Sequence, residues 1–197
     1  GSGITTTDQN NVIVSGWSKG DSIDFDPGPD QALFSGTAAF IARYMPDGTL
    51  VWLTPLTSSG TTSGIGDAVS ATASGELLEG GRFFDDSLQV APGGPWLHGS
   101  APMPDAFLCR YDGSGNFLNG FTLPSSNGSG VSSIASYGTS CHAIGGFFAG
   151  TGLDLDPIAT TPCCDADNTL SNFFFALYND LGTGFSAAPS NSESLII

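Results

Sequence analysis

The stretch Phe40-Ile41-Ala42-Arg43-Tyr44 recurs twice more in this chain, as Phe107-Leu108-Cys109-Arg110-Tyr111 and as Phe174-Phe175-Ala176-Leu177-Tyr178. The tyrosines are 67 residues apart in both intervals, and a glycine follows each of them by four residues. Side chains alternate between the two faces of an extended strand, and a glycine at this distance is typical of a hairpin turn. The stretch therefore predicts a strand followed by a turn in each of three copies.

A second marker recurs independently of the first. Segments that begin with glycine and end with proline cover residues 16–27, 81–92 and 146–157, with spacings of 65 residues at both ends. Two markers that agree in order and spacing indicate an internal repeat, which decides the fold before any single residue does. The chain therefore divides into three repeats, residues 1–65, 66–130 and 131–197.

Each repeat contains four short extended stretches, which in the first repeat are residues 4–7, 12–16, 40–44 and 50–53. Gly, Ser, Asp and Pro fill the intervals between them. In the last copy both alternating sets of side chains are largely apolar, so we expect a sheet that is covered on both faces. The sequence thus predicts an all-β, β-propeller-like fold of three four-stranded blades of about 65 residues each. Propellers close with about four to eight blades, so we expect an incomplete ring.

The composition limits the classes of partner. A hydrophobic content of 40% with 14 Phe indicates a folded chain. Only 4 Lys and Arg stand against 19 Asp and Glu, for a net charge of −15, which disfavours nucleic acid and anionic membrane surfaces because both require clustered cations. No run of about 18 apolar residues is present, so we expect no membrane insertion.

Two segments carry a resemblance to a known family. They are Asp105-Ala106-Phe107-Leu108-Cys109-Arg110-Tyr111 and Asp24-Phe25-Asp26-Pro27-Gly28. The chain resembles the bacterial β-propeller repeat family of large secreted proteins, although the second repeat has Gln89 and Ala91 in place of two aspartates. The resemblance implies a propeller fold and an extracellular or cell-surface location, but no single activity. Because the chain begins Gly1-Ser2-Gly3, we expect a processed product or a piece of a longer protein.

Two pairs of aspartates are candidate calcium ligands. Asp24 with Asp26, and Asp154 with Asp156, are spaced so that an extended backbone places both carboxylates of a pair on one side. Calcium takes about 6–8 oxygen ligands, and neither pair completes the twelve-residue calcium loop that ends in Glu. We therefore favour the alternative that these side chains cap their own turns, and we expect no other cofactor.

The four cysteines divide into two groups. Cys109 replaces an alanine of the other two repeats, which predicts a small buried core residue. Cys141, Cys163 and Cys164 all lie in the third repeat. In an oxidising compartment we expect any disulfide to join members of this set, with the pairing left open.

Neither a nucleophile nor a zinc site is indicated. Gly16-Trp17-Ser18-Lys19-Gly20 has the letters of a nucleophile elbow, but the proline- and glycine-rich residues 27–30 cannot form the helix that must follow. His98 and His142 lack the spacing of zinc ligands. We therefore expect no catalytic residues and no enzyme.

The sequence favours a non-catalytic extracellular repeat module that acts as a structural or protein-interaction subunit of a larger protein or assembly. Three blades would leave two sheet faces open, and large apolar patches mark interaction sites. We therefore expect protein subunits on the open blade faces, and one such arrangement is a six-bladed ring of two copies. The alternative is a calcium-dependent glycan-binding or glycan-processing propeller, which needs carboxylates from several repeats to converge.

Overall fold

A computed structural model of the protein describes residues 1–60, 64–100, 102–155 and 171–179. These residues contain β-strands and turns and no helix, so the all-β prediction is confirmed for them. The strands, in chain order, are β1 (Gly3–Thr6), β2 (Val12–Asp24), β3 (Leu33–Tyr44), β4 (Leu50–Ser58), β5 (Ile65–Ala71), β6 (Leu77–Phe83), β7 (Ser87–Gln89), β8 (Trp96–His98), β9 (Asp105–Tyr111), β10 (Phe117–Leu123), β11 (Ser129–Tyr137), β12 (Cys141–Ala149) and β13 (Ser171–Asn179).

The strands form three antiparallel sheets that follow the three repeats. Sheet 1 has the order β1-β2-β3-β4-β7-β8, sheet 2 the order β10-β9-β6-β5, and sheet 3 the order β11-β12-β13. The prediction of four strands holds for sheet 2. It is wrong for sheet 1, because the β7–β8 hairpin of the second repeat adds to β4 through the pairs Thr57 with Gln89 and Ser58 with Leu88. Sheet 3 has three strands within the described residues.

The strand registers repeat from sheet to sheet. Each sheet contains a central row of three cross-strand neighbours, and equivalent members of these rows are 65 residues apart on the first two strands and 67 apart on the third. A slip of one residue would turn every side chain to the other face, so equal registers mean that equivalent residues face the same way. The rows are Ile4–Val14–Ala42, Val69–Glu79–Cys109 and Ile134–Ile144–Ala176.

One hydrogen bond joins the two sequence markers in every repeat. The hydroxyl of the repeated tyrosine donates to the backbone carbonyl of the residue two positions before the repeated proline. The three tyrosines therefore make the same hydrogen bond, although Tyr111 is buried and the other two are half-buried. The bonds run from Tyr44 to Phe25 (2.9 Å), from Tyr111 to Val90 (2.9 Å) and from Tyr178 to Leu155 (2.6 Å).

The predicted hairpin turns are present after the first two copies of the tyrosine stretch. Gly48 and Gly115 have φ of 94° and 82°, values that L side chains rarely adopt. The amide of Asp112 donates to the carbonyl of Asn116 at 2.9 Å and closes the second turn. Gly182, the equivalent glycine of the third repeat, lies outside the described residues.

Two apolar layers hold the three sheets together. We call the face that carries Tyr44, Tyr111 or Tyr178 the tyrosine face of its sheet, and the opposite face, which carries Ile41, Leu108 or Phe175, the reverse face. Layer 1 joins the reverse face of sheet 1 to the tyrosine face of sheet 2, and layer 2 joins the reverse face of sheet 2 to the tyrosine face of sheet 3. Sheet 2 is therefore covered on both faces. Layer 1 includes Ile13, Ala39, Ile41, Leu56, Val69, Leu77, Phe83 and Phe107, and layer 2 includes Leu78, Ala106, Leu108, Phe121, Ile144, Phe148, Phe174 and Ala176.

Candidate functional site

The tyrosine face of sheet 1 is not covered by another sheet in the described part of the chain. The Phe25 ring packs edge-on against Phe40 on this face, with ring centroids 4.8 Å apart. Ile4, on the β1 edge, is 72% exposed, whereas Val69 at the equivalent position in layer 1 is 7% exposed. A position that is buried between two sheets in the second repeat is therefore open to solvent in the first.

The reverse face of sheet 3 is likewise not covered by another sheet in the described part of the chain. Phe173 and Leu177 are 47% and 44% exposed, and Phe175 between them is half-buried. The equivalent residues of the other two sheets lie in the layers or at their rims, and they are smaller or charged. They are Ala39, Ile41 and Arg43 in sheet 1 and Ala106, Leu108 and Arg110 in sheet 2. Repeats that end an array in solution need a polar outer face, and the row on β13 is more apolar than the equivalent rows on β3 and β9.

Polar contacts at the rim of layer 1 explain what the arginine position does. Arg43 and Trp52, on the reverse face of sheet 1, both donate to the carbonyl of Gly113 in the turn of sheet 2, and the Trp52 bond is 3.2 Å long. Thr54 donates to the carbonyl of Gly115 in the same turn at 3.3 Å. The reverse face of sheet 1 thus holds the turn of sheet 2, while Arg110, at the arginine position of sheet 2, forms an ion pair with Glu76 of its own sheet. Leu177 takes the arginine position in sheet 3 and offers only apolar contact.

The central rows of both open faces carry no charged side chain in the described part of the chain. On sheet 1 they are Ile4–Val14–Ala42–Leu53 and Gly16–Phe40–Pro55, and on sheet 3 they are Ala135–Ala143–Leu177 and Ser133–Gly145–Phe175. The net charge of −15 therefore does not fall on these rows.

A buried carboxyl group lies in layer 1, where sequence reasoning did not look for one. Glu79 is 0% exposed, and neither of its carboxyl oxygens has a hydrogen-bond partner among the described residues. A Cβ atom added to Gly66 would lie 2.6 Å from Oε1 of Glu79 and 3.1 Å from the carbonyl oxygen of Gly16, so glycine provides the space for this carboxyl. The sequence indicates this burial in one way, because the positions equivalent to Glu79 in the other two repeats are the apolar residues Val14 and Ile144.

Burial controls the protonation of this group and its neighbours. It raises the pKa of Glu79 to about 8, because the charged form would lose its hydration. Burial also raises the pKa of the Cys109 thiol and of the Tyr111 hydroxyl well above their usual values, and the nearby Glu79 adds to both shifts. Cys109 is a free, buried core residue, as its sequence context predicts.

The first pair of calcium candidates is engaged in turn capping. Oδ1 of Asp24 accepts the backbone N–H groups of Asp26 at 3.0 Å and Ala32 at 2.9 Å, and Oδ1 of Asp26 accepts that of Gly28 at 2.8 Å. Of the second pair, Asp154 is described and Asp156 lies outside the described residues. Within the described ranges no group of three or more His, Cys, Asp and Glu side chains could hold a metal ion.

The remaining candidates are dispersed. Cys141 begins β12 and has a free thiol, while Cys163 and Cys164 lie outside the described residues. The ring of the buried His142 is 3.1 Å from the Ser136 hydroxyl. Ser18 lies inside strand β2, which continues to Asp24, so the strand-turn-helix of a nucleophile elbow is absent from this described segment.

Comparison with known proteins gives no family assignment. No family model matches the chain, and no curated protein matches it significantly. In the part of the chain that is described, no helix is long and apolar enough to cross a membrane.

Proposed function

We propose that this chain is a non-catalytic, propeller-type repeat module that associates with other protein subunits through its two open sheet faces. The observation that carries the proposal is the apolar row Phe173, Phe175 and Leu177 on the reverse face of sheet 3. In the other two sheets this row is packed against a neighbouring sheet. An exposed row that is more apolar than its buried equivalents costs solubility unless a partner covers it.

The repeated geometry supports the propeller-type arrangement. Three sheets with equal registers stack in one direction, and the tyrosine faces of sheets 2 and 3 each rest on the reverse face of the preceding sheet. Propeller blades stack face to face in this way around a common axis. The family resemblance supports an extracellular or cell-surface location.

Sedimentation velocity of the full chain over a wide range of protein concentration tests the proposal. We expect reversible association that increases with concentration. The variant Leu177→Asp should weaken it, because burying an added carboxylate at an interface costs several kcal/mol, on the order of 3. Leu118→Asp is the matched control, since Leu118 is 45% exposed on β10, outside both open faces, while Leu177 is 44% exposed.

A well-folded wild-type chain that stays monomeric at every concentration would contradict the proposal. An equal effect of Leu118→Asp and Leu177→Asp would also contradict it, because association would then not depend on the open face. Specific, saturable binding in a glycan screen would favour the alternative of a glycan-binding propeller.

A further inference from the structure

We propose that the partner is a second copy of this chain, docked so that the tyrosine face of sheet 1 of one copy packs on the reverse face of sheet 3 of the other. This inference rests on the proposed function and adds to it the identity of the partner and the pairing of faces. Two copies joined at both such contacts would form a closed ring of six sheets, within the range of about four to eight blades that propellers use.

The pairing of unlike faces follows from the two layers inside the chain. In layer 1 the Phe107, Cys109 and Tyr111 side of sheet 2 meets the Ala39 and Ile41 side of sheet 1. In layer 2 the Phe174 and Ala176 side of sheet 3 meets the Ala106 and Leu108 side of sheet 2. Both layers thus join a tyrosine face to a reverse face. Among the described residues one face of each kind is left without a covering sheet, so a second copy offers the matching surface twice.

The open tyrosine face retains the sequence of the buried ones. Phe40, Ala42 and Tyr44 match Phe107, Cys109 and Tyr111 in register, and Tyr44 already makes the repeated hydrogen bond to the carbonyl of Phe25 at 2.9 Å. Ile4 occupies the position at which Val69 and Ile134 pack against a neighbouring sheet. Phe40 and Ala42 are already buried in the single copy, so docking would chiefly cover the exposed Ile4 and the half-buried Val14 and Leu53 in its row.

Electrostatics place a condition on the association. Each copy has a net charge of −15, so two copies repel each other at long range, while the central rows of the docking faces are uncharged in the described residues. Salt screens the repulsion and leaves the apolar contact intact. We therefore expect the complex of two copies to strengthen as the salt concentration rises, unlike a complex held by ion pairs.

Complementation between two variants tests the pairing. One variant, Ile4→Asp with Leu53→Asp, blocks the tyrosine face of sheet 1, and the other, Phe173→Asp with Leu177→Asp, blocks the reverse face of sheet 3. Neither variant should associate alone, because each has lost one half of the only productive contact. Their mixture should form a 1:1 complex through the one intact contact. This complex should be about a hundredfold weaker than that of the wild type, which closes two contacts at once.

The outcomes separate this inference from the proposed function. Restored association in the mixture supports the pairing of unlike faces. Continued self-association of either variant alone would mean that a face pairs with itself, which overturns the inference and leaves the proposed function standing. A wild type that does not associate overturns both. Circular dichroism of each variant checks folding, and Ile4→Asp alone, at a 72% exposed position, repeats the test with the least disturbance.

Discussion

Layers 1 and 2 are built from equivalent residues and yet differ at their centres. The central row on the tyrosine face is Val69–Glu79–Cys109 in layer 1 and Ile134–Ile144–Ala176 in layer 2. Layer 1 thus buries a carboxyl group and a thiol where layer 2 buries only hydrocarbon. The same register can hold either set, so the fold depends on the pattern of strands and turns more than on one side chain.

Small residues decide which layer can hold the acid. In layer 1 the Glu79 carboxyl reaches the space beside Gly66 and Gly16. In layer 2 the sheets close over Gly80, where an added Cβ would lie 2.6 Å from Cγ1 of Val131 and 3.1 Å from Cδ1 of Ile134. Layer 2 has no comparable space here, because aliphatic side chains fill it to contact distance.

The largest change in the free energy of unfolding is expected when a glutamate is introduced into layer 2 at the position equivalent to Glu79. Ile144→Glu should lower the free energy of unfolding at pH 7 by about 4 kcal/mol or more, since it removes a fully buried Ile and buries a carboxyl without a partner. Chemical denaturation followed by circular dichroism measures the change. Val14→Glu is the matched control at the equivalent, half-buried position on the open face, and it should cost less than about 1 kcal/mol in the monomer. Similar losses for both variants would show that layer 2 excludes a carboxyl group no more strongly than the open face does.

Neutralising the native acid should produce an effect that depends on pH and that is smaller at pH 7 than that of Ile144→Glu. The pKa of Glu79 is raised to about 8 in the folded protein from an ordinary value of 4.5, so the folded state binds the proton more tightly than the unfolded state. Its contribution to stability is then fully present below pH 4.5 and is lost as the pH rises to 8. Within this window, the free energy of unfolding of the wild type should fall by about 1.4 kcal/mol for each pH unit, relative to that of Glu79→Gln.

Denaturant titrations of both proteins across the pH range measure this difference. Taking the difference between the proteins removes groups that both share, such as Asp67, whose pKa is raised by burial. A difference that does not change with pH would mean that Glu79 is ionised or solvated in the folded protein. A difference with the opposite slope would mean that a cation is bound to it.

The smallest effects are expected from the tyrosine hydroxyls. Tyr111→Phe should cost about 1–2 kcal/mol, because it leaves the buried carbonyl of Val90 without its donor. Tyr44→Phe should cost about 0.5 kcal/mol, since the partly exposed carbonyl of Phe25 can turn to water. Thermal or chemical unfolding of the two variants gives the comparison. Equal losses would mean that the open face of sheet 1 is as dry as layer 1, as it would be in a complex of two copies.

Much of the fold could be predicted from the spacing of a few residues. The recurrence of the tyrosine stretch and of its glycine predicted the third strand of each repeat and the turn after it, because strand alternation and positive φ are local properties. The alternation of apolar residues in 174–178 predicted a sheet that is covered on both faces, but the reverse face of that sheet leaves Phe173 and Leu177 exposed, and sheet 2 is the one with both faces covered. The bond from Tyr111 to Val90 was not predicted, since the two markers approach each other only after β6 and β9 pair.

The candidate sites were less predictable. The sequence favoured turn capping over calcium binding for Asp24 and Asp26, and both side chains accept backbone N–H groups of their own turn. The β7–β8 hairpin could not be assigned to sheet 1 from the sequence, because its partner β4 belongs to the preceding repeat. Glu79 was aligned correctly with Val14 and Ile144, but its burial was not predicted from that alignment.

The sequence by itself determined the repeat, the all-β class and the direction in which each side chain points, because these depend on local geometry and on periodic spacing. Only the tertiary structure decided which equivalent positions are buried and which are open, since burial depends on whether another sheet packs on that face. Ile4 and Val69 share a register and differ from 72% to 7% in exposure for that reason alone.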